Sequence, residues 1–409
     1  MSPRVGRDWR TPAVMLAAGA VTLAVSLGIR HAFGLFLAPM SRDHGWTREV
    51  FSLAIALQNL VWGAAQPFAG RLADRFGAGK AILTGSALYV AGLLLMAMSR
   101  SGSALALSAG LLVGLGLSGT TFPVVFGAIA RSTPPEKRSL AMGVAMSVGS
   151  LGQFAMLPGA LSAIETFGWA TTLVALAALG ATMAPLSGAL FERARPGAAS
   201  TARMTLREVL AEALAHRGFW LLSFGFFVCG FHVVFIATHL PAYLVDWGLS
   251  ARTGATVLAL VGLFNIAGSY LAGLLGGRMS KPGLLVGIYV LRAVVIALFF
   301  LLPVTETSAY VFGAAMGVLW LSTVPLTNGT VATLFGVTHM AMLGGMVFFF
   351  HQLGAFLGGW LGGRLYVATG SYDLVWWISI ALALVAALLN VPVREVPVAR
   401  LQAVPEVAG

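Results

Sequence analysis

Apolar residues along this chain come in long, nearly unbroken runs, and polar residues gather in short clusters between them. Twelve runs reach the roughly 20 residues that a helix needs to cross about 30 Å of hydrocarbon. They are 13–39, 48–70, 79–99, 103–130, 140–162, 169–190, 219–244, 252–276, 283–303, 308–333, 342–363 and 373–391. Backbone polar groups in lipid have no water to bond, so such runs predict helices, which satisfy every group internally. The first run follows Arg4, Arg7 and Arg10 in the manner of a secretion signal, but continues past Arg30 to Pro39. That is too long for a removable signal and predicts a retained first span. The longest hydrophilic stretch, Glu192 to Arg217, follows the sixth run. It holds Arg-Pro-Gly-Ala-Ala-Ser-Thr at 195–201, then Leu206 to Leu214, whose pattern predicts a short amphipathic surface helix. The chain is expected to divide into a six-helix bundle over 1–191, a linker over 192–218 and a second six-helix bundle over 219–409.

The polar clusters repeat. Gly70-Arg71-Leu72-Ala73-Asp74-Arg75-Phe76-Gly77-Ala78-Gly79-Lys80 lies between the second and third runs, and a weaker copy, Gly273 to Lys281, lies between the eighth and ninth. At an offset of about 202, Leu27-Gly28 falls against Cys229-Gly230, and Gly110, Gly114 and Pro123 against Gly313, Gly317 and Pro325. Leu151-Gly152 likewise falls against Leu353-Gly354. Six helices per half in one orientation form a parallel repeat about an axis normal to the membrane, which places a solute site near mid-membrane between the halves.

The Gly70 to Lys80 segment carries its glycine, aspartate, arginine, second glycine and lysine in register. It resembles the signature between the second and third helices of the major facilitator superfamily, and the resemblance covers essentially the whole chain. It implies an all-α integral membrane protein: twelve transmembrane helices in two six-helix halves related by a pseudo-two-fold axis. It also implies gating residues. Gly70 would permit close helix approach, and Asp74 and Arg75 would hold the cytoplasmic ends together in one state of the cycle. In the second copy, which contributes Arg278, Gly277 stands where the aspartate would be, so the locking is expected to be asymmetric.

A narrower similarity rests on Arg30-His31-Ala32-Phe33-Gly34-Leu35-Phe36, Phe167-Gly168-Trp169 and His239-Leu240-Pro241. These look like bacterial members of the monocarboxylate-porter branch, which implies small organic anions carried with a proton or by exchange. Relatives in that branch often place a substrate arginine in the eighth span, and 252–276 contains none.

Composition agrees with a membrane bundle: 58% of residues are hydrophobic and 10% charged, and the 50 glycines suit closely approaching helices. The net charge of +11 would suggest nucleic acid were it not so unevenly placed. With both termini cytoplasmic, eighteen lysines and arginines fall on the cytoplasmic side and five opposite. This predicts a multi-pass protein of the inner (cytoplasmic) membrane. One cysteine, Cys229, excludes a disulfide framework and a cluster of thiol ligands. No phosphate-binding loop ending in Gly-Lys-Ser/Thr is present, so neither a nucleotide nor another cofactor is expected. No histidine spacing with acidic support suggests a metal.

Two cations, Arg30 and Arg292, lie well inside spans, while all fourteen acidic residues fall in loops, tails or at span ends. A charge in the bilayer is costly unless it faces protein or water, and is functional by default. The guanidinium fork fits a carboxylate, so the missing counter-ion of Arg30 is expected to be the substrate. Arg292 would either reach inward to the same substrate or brace backbone carbonyls. His31, His232, His239 and His351 are candidates for proton coupling, since histidine titrates near neutrality. His232 is the repeat partner of Arg30, so the two would flank one site. His31, His351, Asn265 and Gln352 complete the expected substrate lining.

The leading expectation is a secondary transporter of a small organic anion, in which one chain supplies a complete two-half bundle and a monomer suffices. Efflux of hydrophobic or cationic compounds predicts a buried carboxylate, which the spans lack. A membrane enzyme would need a clustered nucleophile and base, and a non-transporting sensor a soluble signalling domain. Neither pattern is found.

Overall fold

The computed structural model describes residues 9–191 and 205–402; Arg4, Arg7 and the 195–201 segment lie outside the described residues. The first span, Pro12–Ala32, continues through a tight turn of helix to His44. Arg48–Phe76, Ala78–Ala97 and Gly102–Ser132 follow, then Arg138–Phe167 and Trp169–Leu190. After the linker helix Leu206–Ala215 come Arg217–Asp246, Ala251–Gly276, Lys281–Leu301, Glu306–Phe335, Met340–Thr369 and Asp373–Asn390. Eleven of these are long and apolar enough to cross a membrane. The second, Arg48–Phe76, is less apolar because Gln58, Asn59 and Gln66 interrupt it, yet it packs within the bundle as the twelfth.

Local chemistry sets the helix ends. Thr11 accepts from the Val14 amide and Pro12 opens the first helix. Thr205 and Glu208 form a capping box on the linker helix, as Thr305 and Ser308 do on the tenth span. The Gly70 to Lys80 segment, expected as a loop, is helical on both sides of Gly77. Gly77 has φ of +93°, so a single residue reverses the chain where a Cβ would be strained.

The paired glycines are where each half packs most closely. A β-carbon on Gly28 would lie 2.8 Å from the Gly152 carbonyl, joining the first and fifth spans. Its repeat partner Gly230 meets the His351 carbonyl in the same way, and Gly354 meets Phe227. Gly110 and Gly114 face the second span at Leu57 and Gln58; Gly313 and Gly317 face the eighth at Val257 and Val261.

The matched prolines mark matched breaks. The fourth span breaks at Thr121, just before Pro123, and the tenth between Leu319 and Thr323, just before Pro325. Proline lacks an amide donor and its ring strikes the carbonyl four residues back, so the helix cannot pass through undistorted.

The linker helix, the Gly77 turn and the C-terminal segment lie on one side, which we term the linker face. There Arg400 donates to Glu212 at 2.9 Å and to the Phe335 carbonyl at 2.6 Å, and Lys281 pairs with Glu395 at 2.7 Å. The C-terminal segment thereby straps the linker helix to the ninth and tenth spans.

Candidate functional site: a central fissure behind a closed gate

The two halves meet from the linker face to mid-membrane. Gly70 lies against Ala341 and Met342 at the start of the eleventh span, and its repeat partner Gly273 against Ser139 and Gly143 at the start of the fifth. One turn from Gly70, Asp74 accepts from the amides of Ala341 (3.3 Å) and Met342 (2.8 Å) and from Arg131 Nη1 at 2.8 Å. A carboxylate on a helix N-terminus is favoured by the helix dipole and by the otherwise unpaired amides. Arg131 also reaches the Val337 carbonyl. Deeper, Trp62 and Phe122 of the first half close on Phe348 of the second, with centroids 5.0 and 5.8 Å apart. This aromatic plug seals the linker side.

Mid-membrane, the contact becomes polar. Gln352 donates to the Asn59 carbonyl at 3.3 Å, Ser147 to the Ile266 carbonyl at 2.9 Å, and Asn265 to Ser150 Oγ at 2.8 Å. Beyond this level no hydrogen bond joins the halves among the described residues, Gly34, Gly159 and Gly262 have open space beside them, and His31 and Ala38 are exposed; we term this unbonded side the fissure.

Arg30 stands at the base of this fissure. Its Nη2 donates to Asn59 Oδ1 at 2.9 Å, while Nε is buried without a partner. The neighbouring His31 is exposed. Asn59 therefore has two duties. Its side chain orients Arg30, and its carbonyl receives Gln352 from the opposite half.

The other sequence candidates sit elsewhere. His232 is fully buried and turns Nε2 to the Ser379 carbonyl of the twelfth span, 2.9 Å away; it is not brought to Arg30. Arg292 is also fully buried. It donates to the carbonyls of Leu319 and Trp320 at the tenth-span break and touches Cys229 Sγ at 3.6 Å. His351 stacks on Phe348 at 5.3 Å with Nδ1 3.4 Å from Gln352 Oε1. His239, half-buried toward the far face, contacts the Gly359 carbonyl at 2.8 Å and the Tyr372 hydroxyl at 3.3 Å. Asn265 is buried, bonded to Ser150, Leu321 and Ser269. Of the other two residues expected to gate, Arg75 lies over the Phe76 ring at 5.0 Å and Arg278 is exposed. Gln58 and Gln66 spend their amides on carbonyls of the fourth span rather than on the fissure. Phe33 and Phe36 are buried too.

Arg292 closes a helix break, so its removal leaves the buried Leu319 carbonyl unpaired and the Trp320 carbonyl with only the Cys229 thiol at 3.9 Å, each lost partner costing about 1–3 kcal/mol. Arg292→Met is expected to lower the thermal unfolding midpoint of the purified protein well below that of wild type. An unchanged midpoint would contradict this bracing.

Two contributors escaped the sequence reading. Arg131 counted only toward the charge bias, and Ser150 not at all. Each is ordinary by residue type; its signal is the partner it meets in three dimensions.

Comparison with known proteins places this architecture. The chain is 27% identical over 391 residues to monocarboxylate transporter 11 of Mus musculus, covering 91% of this chain and 84% of the relative. It is 27% identical over 382 residues to a probable sulfoacetate transporter, SauU, of Cupriavidus necator, covering 86% and 87%. Among solved structures, the E. coli fucose:proton symporter FucP superposes with a TM-score of 0.73 at 14% identity, covering 93% and 98%. At that identity the likeness concerns the fold alone. The family model of the Major Facilitator Superfamily matches residues 14–359. This multi-pass helical chain, matched by that model over most of its length, is therefore a member of the Major Facilitator Superfamily.

Proposed function

We propose that this protein is a secondary transporter of a small organic anion, working by alternating access with a proton or by exchange. One observation carries the reading. Arg30, at the base of the fissure, is held by a neutral amide, and no carboxylate among the described residues pairs with it. A guanidinium so placed is an incomplete ion pair, and a substrate carboxylate or sulfonate completes it. The relatives named for monocarboxylate and sulfoacetate transport favour the same chemistry. His31 beside it is the group best placed to exchange a proton with the fissure. The charge bias favours a cytoplasmic linker face in an inner membrane, and in this reading the fissure opens outward. Bundles 1–191 and 219–409 would rock about Arg30, with Asp74 and Gly70 forming the gate on the cytoplasmic side. The chain works as a monomer in this reading.

Counterflow in proteoliposomes tests it. Labelled short-chain carboxylates and sulfonates are offered beside neutral and cationic solutes of similar size, with an internal pH dye. Saturable exchange of at least one acid is expected, and dye response during net flux separates symport from exchange. Transport confined to neutral or cationic solutes would sink the anion reading.

A further inference from the structure

The fourth and tenth spans break at matching positions, yet the backbone groups freed by the two breaks find different partners. In the fourth span the partners belong to the same half. Thr120 donates to the Gly116 carbonyl at 3.0 Å, Thr121 to Leu117 at 2.7 Å, and Gln66 to Ser118 at 2.8 Å. In the tenth span Arg292 takes the Leu319 and Trp320 carbonyls, but the Leu321 amide donates to Asn265 Oδ1 at 3.0 Å. Asn265 Nδ2 in turn donates to Ser150 Oγ at 2.8 Å, in the opposite half. The next turn of the eighth span, at Gly268, lies directly against Val318 and Ser322 of the break.

We infer that Asn265 is a positioning residue that ties the closed contact between the fifth and eighth spans to the bend of the tenth. This rests on the alternating-access reading. A carboxamide is rigid and planar, so one rotation serves Ser150 and Leu321 together. When the halves separate on the linker side, Ser150 is withdrawn and a donor buried away from water loses its partner. The carboxamide is then free to turn, and the Leu321 amide loses its fixed acceptor. The bend of the tenth span follows the contact between the halves. The repeat shows that the wiring is one-sided. Gln352, which aligns with Ser150, also bonds across the interface, but to Asn59 within an unbroken helix.

Distances between spin labels test the link, in a Cys229→Ser background. One pair, Ser162 and Arg252, reads the gap between the halves from exposed positions at the far ends of the fifth and eighth spans. A second pair, Leu298 and Val311, both exposed, reads the outer segment of the tenth span against the ninth. Ser150→Ala is expected to shift the ratio of wide to narrow gaps by about three- to tenfold toward narrow, the effect of losing one buried hydrogen bond. The Leu298–Val311 distance should move with it. Adding Ser150→Ala to Asn265→Ala should give no further shift, because both remove the same bond. The inference is overturned if Ser150→Ala moves neither distance, or moves the gap while the tenth span stays put. Counterflow on the same samples keeps the readings apart. Responsive distances without anion transport would discard the proposed substrate and leave the link standing, whereas transport with unresponsive distances would discard the link alone.

Discussion

Arg30→Ala is expected to lower anion counterflow by tens to thousands of fold, on the order of a hundredfold, while leaving the folded yield and thermal midpoint unchanged or raised. The two halves of that expectation come from one feature. The guanidinium is bonded to Asn59, and no carboxylate among the described residues pairs with its charge. Deleting such a charge removes a desolvation burden and breaks no ion pair, so stability should not fall. With a carboxylate bound, the same charge is half of a pair in a water-poor cleft, and truncating one member of such a pair costs roughly 2–5 kcal/mol. At 1.4 kcal/mol per factor of ten, that is a loss of tens to thousands of fold in binding. Arg30→Lys keeps the charge but loses the planar fork and its fixed bond to Asn59, so it should fall between the two. Counterflow paired with a thermal-shift assay separates a functional arginine from a structural one. Normal transport by Arg30→Ala would remove the basis for an anion site here, and a collapse in stability would make Arg30 a brace like Arg292.

That contrast between two arginines within spans shows what a sequence conveys and what it withholds. Span lengths, the repeat and the sites of close packing were readable, because hydrophobic length and small-residue spacing act on the backbone directly. Gly28, Gly152, Gly230 and Gly354, paired by offset alone, are the points where helices touch. Pro123 and Pro325, paired the same way, stand beside the two breaks. The direction of a side chain is another matter. Register equates the backbone positions of Arg30 and His232, yet the long arginine stem reaches Asn59 on the second span while the shorter imidazole stops at Ser379 on the twelfth. For Arg292, the sequence offered substrate contact and backbone bracing alike. The choice depends on where the tenth span leaves its carbonyls unpaired, which involves residues 27 and 28 positions away. The aspartate of the gate was visible, but its cation was not. Arg75 adjoins Asp74 in sequence and points elsewhere, and Arg131 comes from another helix.

The gate supplies the second large effect. Gly70→Val and Gly273→Val are each expected to cut net flux about tenfold or more and to shift the Ser162–Arg252 distances toward the narrow-gap state. A side chain at Gly70 would collide with backbone atoms of Ala341 and Met342, and one at Gly273 with Gly143 and Ser139. Backbone on a facing helix cannot swing aside as a rotamer can, and overpacking typically costs about 1–3 kcal/mol. Both collisions are between the halves, so the penalty falls on the state in which the linker face is closed and shifts the equilibrium away from it. Gly287, which has open space beside it, provides the control, and Gly287→Val should leave both flux and distances unchanged. The two gate variants should not be equal. At Gly70 the intruding side chain also pulls the eleventh span away from Asp74, which bonds two amides there. The second copy has Gly277 at that position and no carboxylate to lose, so Gly70→Val should shift the distances further than Gly273→Val. Asp74→Asn alone should give a smaller shift, because the amide oxygen can still accept while the charge that favours the helix N-terminus is gone. Added to Gly70→Val, it should contribute little more, since the wedge has already broken the bonds it would weaken. Equal shifts from the two glycines, or full additivity of the aspartate, would mean that the gate closes by packing alone and that Asp74 acts elsewhere.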